Sequence, residues 1–149
     1  MNLKAMILTL CATSMVAIGC APAQSKSVDD GALEAVRRYI SAGDRQDAEL
    51  FRGVSHENLR IVAVDYPAPG QVTVMSRDLF GSLLEGKKLG GQPREVEVQA
   101  VQALGSSSAR IDLSMKSAKL AFNNQFTVIK TDAGWKVIQD LAHATPVGK

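Results

Sequence analysis

The segment Gly81-Ser82-Leu83-Leu84-Glu85-Gly86-Lys87-Lys88 departs only at its last position from the glycine-lysine loop that cradles nucleotide phosphates. That chemistry needs Ser or Thr after the lysine to hold Mg²⁺, on a loop that opens a helix. Here Lys88 takes that place, and Leu83 and Leu84 belong to a helical pattern that is ending, so nucleotide binding is not expected. Metal ligation fares no better. His56 and His143 lie far apart, with no cysteine or regularly spaced carboxylate beside either, whereas a zinc site needs three or four converging ligands. No serine sits in the sharp strand-turn-helix context of a hydrolase nucleophile. His56 reads either as a hydrogen-bonded residue closing a helix or as a pocket residue, and His143 as an exposed residue near the C-terminus.

The two cysteines carry a different chemistry. Cys11 lies inside the uncharged, largely apolar run from Ala5 to Ile18 that follows Lys4. The run is too short for a comfortable membrane span but suits the apolar core of a signal peptide. Ala17-Ile18-Gly19-Cys20 then resembles a bacterial lipobox, with Cys20 as the lipidation site, while Ala21-Pro22-Ala23 offers an alternative cleavage after residue 23. These features divide the chain into a signal peptide over 1–20, a polar tether over 21–28 and one folded domain over 29–145. The expected location is the bacterial cell envelope as a lipoprotein, or the periplasm, with membrane contact through the lipid anchor alone. After either cut no internal disulfide can form.

The elements that would position any site follow from periodicity. The chain has 149 residues, 46% hydrophobic and 21% charged, with 17 Lys and Arg against 15 Asp and Glu. That is a globular composition, with no charge excess to argue for nucleic acid. Asp29 and Asp30 precede a helical pattern with Leu33, Val36, Tyr39 and Ile40 on one face, and Gly43 suits its stop. A short helix is expected from Asp47, then a strand over Leu59–Asp65, a turn at Tyr66–Gly70 and a strand over Gln71–Met75. Ser76 can cap a third helix carrying Leu79, Phe80, Leu83 and Leu84. After Pro93 the alternation is β throughout: Val96 to Ala100, Ile111 to Met115, Phe122 to Val128, and Trp135 to His143 with Trp135 and Val137 on one face. Three helices, a hairpin and a four-strand meander make an α+β domain with its helices on one sheet face. Phe80, Met115, Phe126 and Trp135 fall between sheet and helices, as core or as the lining of a ligand cavity.

The order of elements, Tyr39-Ile40 ahead of Asp47-Ala48-Glu49-Leu50, His56 after the second helix and Trp135-Lys136-Val137-Ile138 near the end resemble the nuclear-transport-factor-2-like superfamily. The bacterial group described as putative lumazine-binding is the nearest within it. The resemblance implies a cone-like half-barrel, three N-terminal helices on a curved, mostly antiparallel mixed sheet, enclosing an apolar pocket, often in a homodimer. In the superfamily's ketosteroid-isomerase branch a helix-one tyrosine donates to an oxyanion opposite a carboxylate base. Tyr39 matches the tyrosine, but the base position falls on Ala63, with Asp65 two residues on. The candidate ligand-binding set is therefore Tyr39, His56, Asp65, Met115, Phe126 and Trp135, with no catalytic or metal set and no cofactor. The expected activity is binding of a small, mostly apolar molecule without catalysis. An envelope scaffold with a filled pocket and a proton-transfer enzyme are the alternatives.

Overall fold

The computed structural model describes residues 28–148. The signal segment, the tether up to residue 27 and Cys20 lie outside them. Helix α1 (Val28–Arg45) buries Ala32, Ala35, Val36, Tyr39, Ile40 and Ala42, one stripe at helical spacing. It does not stop at Gly43. It runs on to Arg45, and Gln46, with φ 54°, turns the chain so that the Asp47 amide donates to the Ala42 carbonyl at 2.9 Å. The Asp47 side chain then accepts from the Leu50 amide at 2.9 Å and caps α2 (Ala48–Val54), satisfying one of the orphan donors at that helix start.

Strand β1 (Ser55–Val64) follows without a loop, so His56 lies in the strand rather than at the helix end. It pairs antiparallel with β2 (Val72–Ser76). The Ser76 hydroxyl accepts from the Leu79 amide and starts α3 (Arg77–Glu85). The glycine-lysine segment is thus spent on the end of a helix. Gly81 to Glu85 are helical, and the Gly86 amide donates to the Ser82 carbonyl at 2.9 Å. No phosphate cradle opens there. The rest is β3 (Glu95–Ala103), β4 (Ser108–Lys116), β5 (Leu120–Thr131) and β6 (Gly134–Pro146).

The six strands form one unclosed sheet in the order β2-β1-β6-β5-β4-β3, parallel only where β1 meets β6. The hairpin expected from the sequence is joined to the meander at that pair. Phe51, Leu84, Ile111, Leu113, Val36, Phe126, Val128 and Val137 are fully buried between the sheet and the three helices. The α+β, half-open architecture expected from the sequence is the one observed.

One irregularity decides the site. Thr127 pairs with Gln139, yet the next residue, Val128, pairs with Val137, leaving Ile138 unopposed. This β-bulge shifts the phase of β6. Unbroken alternation from Val137 would send Gln139, Leu141 and His143 into the core. Instead Asp140, Ala142 and Ala144 are buried, while Gln139 and His143 are exposed.

Candidate functional site

The bulge delivers Asp140 to the inner face at the register of Phe126 on β5 and Ile61 on β1. Asn124, two residues before Phe126, points to the same face. Its Nδ2 donates to Asp140 Oδ1 at 2.7 Å, and the Tyr39 hydroxyl donates to Asp140 Oδ2 at 3.1 Å. A helix and two strands so converge on one buried carboxyl. Burial drives the Asp140 pKa up from 3.8 to about 6; the hydrogen bonds from Asn124 and Tyr39 and the nearby Arg94 charge pull the other way and lose. The Tyr39 hydroxyl is raised well above its ordinary value by burial, then by the Asp140 charge. Asn124 is 5% exposed, and its Oδ1 accepts no hydrogen bond among the described residues.

These three residues form part of the wall of a cavity of about 430 Å³. Ile61, Ala63, Met75, Phe80, Met115 and Phe122 line it with apolar surface. The Tyr39 ring is held by Phe51 at 5.4 Å, Phe80 at 6.5 Å and Phe126 at 5.6 Å between centroids, within the range of favourable ring pairs. Tyr39 therefore has little freedom to leave Asp140. Exposed lining residues mark the opening to solvent: Lys88, Gly90 and Gln92 on the α3–β3 connection, and Lys119 on the β4–β5 turn.

That rim is pinned to the end of α1. The Gly91 amide donates to the Gly43 carbonyl at 3.0 Å, and Gln46 Nε2 donates to the Leu89 carbonyl at 3.0 Å. Arg94 donates from Nη2 to the Ile40 carbonyl at 2.9 Å and from Nε to Asp44 Oδ1 at 2.5 Å. Gly90 makes the approach possible. Its φ is +75°, and a Cβ there would stand 2.2 Å from the Gly43 oxygen, so only glycine fits.

Of the six residues expected at a ligand site, Tyr39 and Met115 line this cavity. Phe126 is fully buried behind the Tyr39 ring. Asp65 does not face the cavity. It follows the end of β1 in the left-handed region, φ 60°, and its Oδ1 accepts from the Gly70 amide at 2.8 Å, an exposed turn. His56 is also absent from the lining, and its Nδ1 accepts from the Asn58 amide at 3.2 Å. Trp135 is half-buried at the opposite end of α1, against Gly31, beside a separate groove of about 350 Å³. Asp140, Asn124 and the rim cations are absent from the sequence-derived set.

The chemistry this arrangement can support is narrow. Among the described residues Asp140 is the one carboxyl lining the cavity, and a group titrating near 6 can exchange a proton at neutral pH. Each of its oxygens already accepts from a protein donor. The first-strand position where a base would stand is Ala63, which lines the cavity as a methyl group. Among the described residues no cluster of three or more His, Cys, Asp or Glu could hold a metal ion.

A family described as "Putative lumazine-binding" matches residues 27–141. Solved structures share the fold at low identity. A nuclear-transport-factor-2-like protein of unknown function from Shewanella baltica OS155 is 16% identical, covering 78% of this chain and 93% of its own, with a TM-score of 0.65. One from Silicibacter pomeroyi DSS-3 is 18% identical, covering 77% and 93%, at 0.66. A ketosteroid isomerase-like protein from Erwinia carotovora atroseptica SCRI1043 is 12% identical, covering 84% and 100%, at 0.65. No curated protein matches the chain.

Proposed function

The chain belongs to the family described as "Putative lumazine-binding", and we propose that it binds a small, mostly apolar molecule in the Tyr39–Asp140 cavity without turning it over. One observation carries this reading. An apolar-walled cavity of about 430 Å³ contains a single carboxyl whose two oxygens already accept from Tyr39 and Asn124. The volume is at the lower end of small-molecule sites, and apolar walls with a few convergent polar groups are their usual make-up. Proton-transfer catalysis needs a base and an oxyanion donor aimed at the substrate, whereas here Tyr39 is turned onto Asp140 and Ala63 replaces the base. The test is native mass spectrometry of protein purified from its own cells, alongside Ala63→Phe, which fills the cavity from the β1 wall. A retained small molecule that Ala63→Phe loses is the expected result. Proton exchange at the α-carbon of cyclic ketones, abolished by Asp140→Asn, would overturn it in favour of an enzyme.

A second reading has its own observation. Opposite the helices, Val62 pairs with Val74 and with Leu141, and Val64 with Val72, so these side chains share the outer face. Val72 and Val74 are 59% and 48% exposed. This patch supports the homodimer implied by the superfamily resemblance, and Val74→Lys is expected to shift the mass in solution to one chain. Export and a lipid anchor at Cys20 belong to the same proposal and rest on the N-terminal residues. Among the described residues no helix is long and apolar enough to cross a membrane.

A further inference from the structure

We infer that the molecule taken up is an amphipathic monocarboxylic acid, its carboxylate at the mouth between Lys88 and Lys119 and its apolar body against Met75, Phe80, Met115 and Phe122. The inference rests on the ligand-binding reading above and adds the ligand's charge and orientation. Three observations carry it. First, charge is segregated along the cavity. The cationic lining residues Lys88, Arg94 and Lys119 come from the two connections at the opening, while the one carboxyl, Asp140, is buried in the wall. Second, Lys88 and Lys119 make no ion pair among the described residues, unlike Arg94, which is spent on Asp44 and Ile40. The glycine-lysine run thus supplies a free ammonium to this mouth rather than a phosphate loop. Third, the α3–β3 side of the rim is already ordered by its bonds to Gly43 and Asp44 of α1 and to Gln46 just after it, so little is lost in ordering that backbone when an anion docks.

The inner end fixes the other pole. Asp140 retains unused lone pairs after accepting from Tyr39 and Asn124, and among the described residues Asn124 Oδ1 accepts nothing. A hydroxyl there can donate to the Asp140 carboxylate, whereas a second carboxylate would be repelled. The class is therefore an acid with one anionic end and, best of all, a hydroxyl at the other. A cationic ligand is disfavoured at the mouth by the two free lysines.

Isothermal titration calorimetry with four matched probes, 10-hydroxydecanoate, decanoate, 1-decanol and decylamine, tests this on the wild type, Lys88→Gln/Lys119→Gln and Ala63→Phe. The expected order places 10-hydroxydecanoate first, then decanoate, then decanol, with decylamine last. Removing both lysines should weaken the two acids roughly three- to tenfold, as exposed pairs do, with the loss shrinking at high salt. Decanol affinity should not move. Decanol binding as tightly as decanoate, or decylamine binding best, overturns the acid class while leaving a cavity that Ala63→Phe still closes. Failure of all four probes, or binding unaffected by Ala63→Phe, overturns the ligand-binding reading itself.

Discussion

Replacing Asp140 by Asn removes the one charge buried in the cavity wall while keeping the shape of the side chain, and the consequence is best read as a dependence on pH. In the folded chain Asp140 titrates at about 6, against an ordinary 3.8. Between those values the native state keeps its proton and the unfolded state has lost it, so stability falls as pH rises through the window. Below about pH 3 both states are protonated and the penalty is absent; above about pH 7 both are ionised and it is complete. At about 1.36 kcal/mol per pH unit the full penalty is about 3 kcal/mol. This is opposite in sign to the usual paired carboxylate, such as one held by an arginine, which loses stability in acid.

The introduced amide can still accept from the Tyr39 hydroxyl. Its own N–H finds an acceptor once Asn124 turns its amide and presents Oδ1, the oxygen that accepts nothing in the wild type. The variant should therefore fold. Urea unfolding of both proteins from pH 4 to pH 8 isolates the effect, because every other titrating group is shared. The difference in unfolding free energy should move in the variant's favour by about 2.5 kcal/mol with rising pH, or roughly 1–2.5 M in urea midpoint. A difference constant within about 0.5 kcal/mol over that range would mean that Asp140 is not buried as described, and the geometry of the cavity wall would fall with it.

Tyr39→Phe deletes one of two donors to Asp140 and should cost about 1–3 kcal/mol at pH 8, less at pH 4, while moving the Asp140 window upward in an NMR titration of its carboxyl carbon. Gly90→Ala should cost at least about 1–2 kcal/mol in thermal or urea unfolding, because φ +75° and the Gly43 oxygen at 2.2 Å both exclude a Cβ. Phe126→Ala, at a fully buried site, should cost about 3–5 kcal/mol, whereas half-buried Trp135→Ala should cost about half as much; equal losses in urea would place Trp135 in the core. Asp65→Asn, at an exposed turn with φ 60° that Asn tolerates, should change stability by less than about 0.5 kcal/mol and leave probe binding untouched.

Most of the scaffold was legible because its signals are local. Asp47 and Ser76 cap the helices at which they were expected, since a short polar side chain before an apolar helical stripe has one favourable use. Alternation along β4 and β5 gave the correct inner faces, with Ile111, Leu113 and Met115 opposite Phe126, Asn124 and Phe122. Where a residue's role depends on a distant partner, local reading failed. Gly43 looks like a helix stop, yet its lack of a side chain serves Arg94, whose Nη2 would stand 2.8 Å from a Cβ there. Trp135 shares a strand face with Val137, but it lies at the sheet's end over Gly31, where part of it stays open to solvent.

Asp140 was missed for a single physical reason, the phase of β6. Trp135 and Val137 set an odd-numbered inner face, and Ala142 and Ala144 belong to an even-numbered one, so no unbroken strand can bury both sets. The conflict itself is the trace that a bulge leaves in a sequence. It locates the slip between Val137 and Ala142, where Ile138 stands unopposed, and it leaves Asp140 as the residue carried inward. A buried carboxyl is costly, which is why a reading guided by hydrophobicity assigns Asp140 to solvent. Here that cost is offset only in part by donors from β5 and α1, and by the ring packing that holds Tyr39 in place. An ionisable group kept at such a position needs a use that a methyl group could not serve, and in this fold it faces a cavity between α1, α3 and the sheet that opens to solvent through a cationic rim.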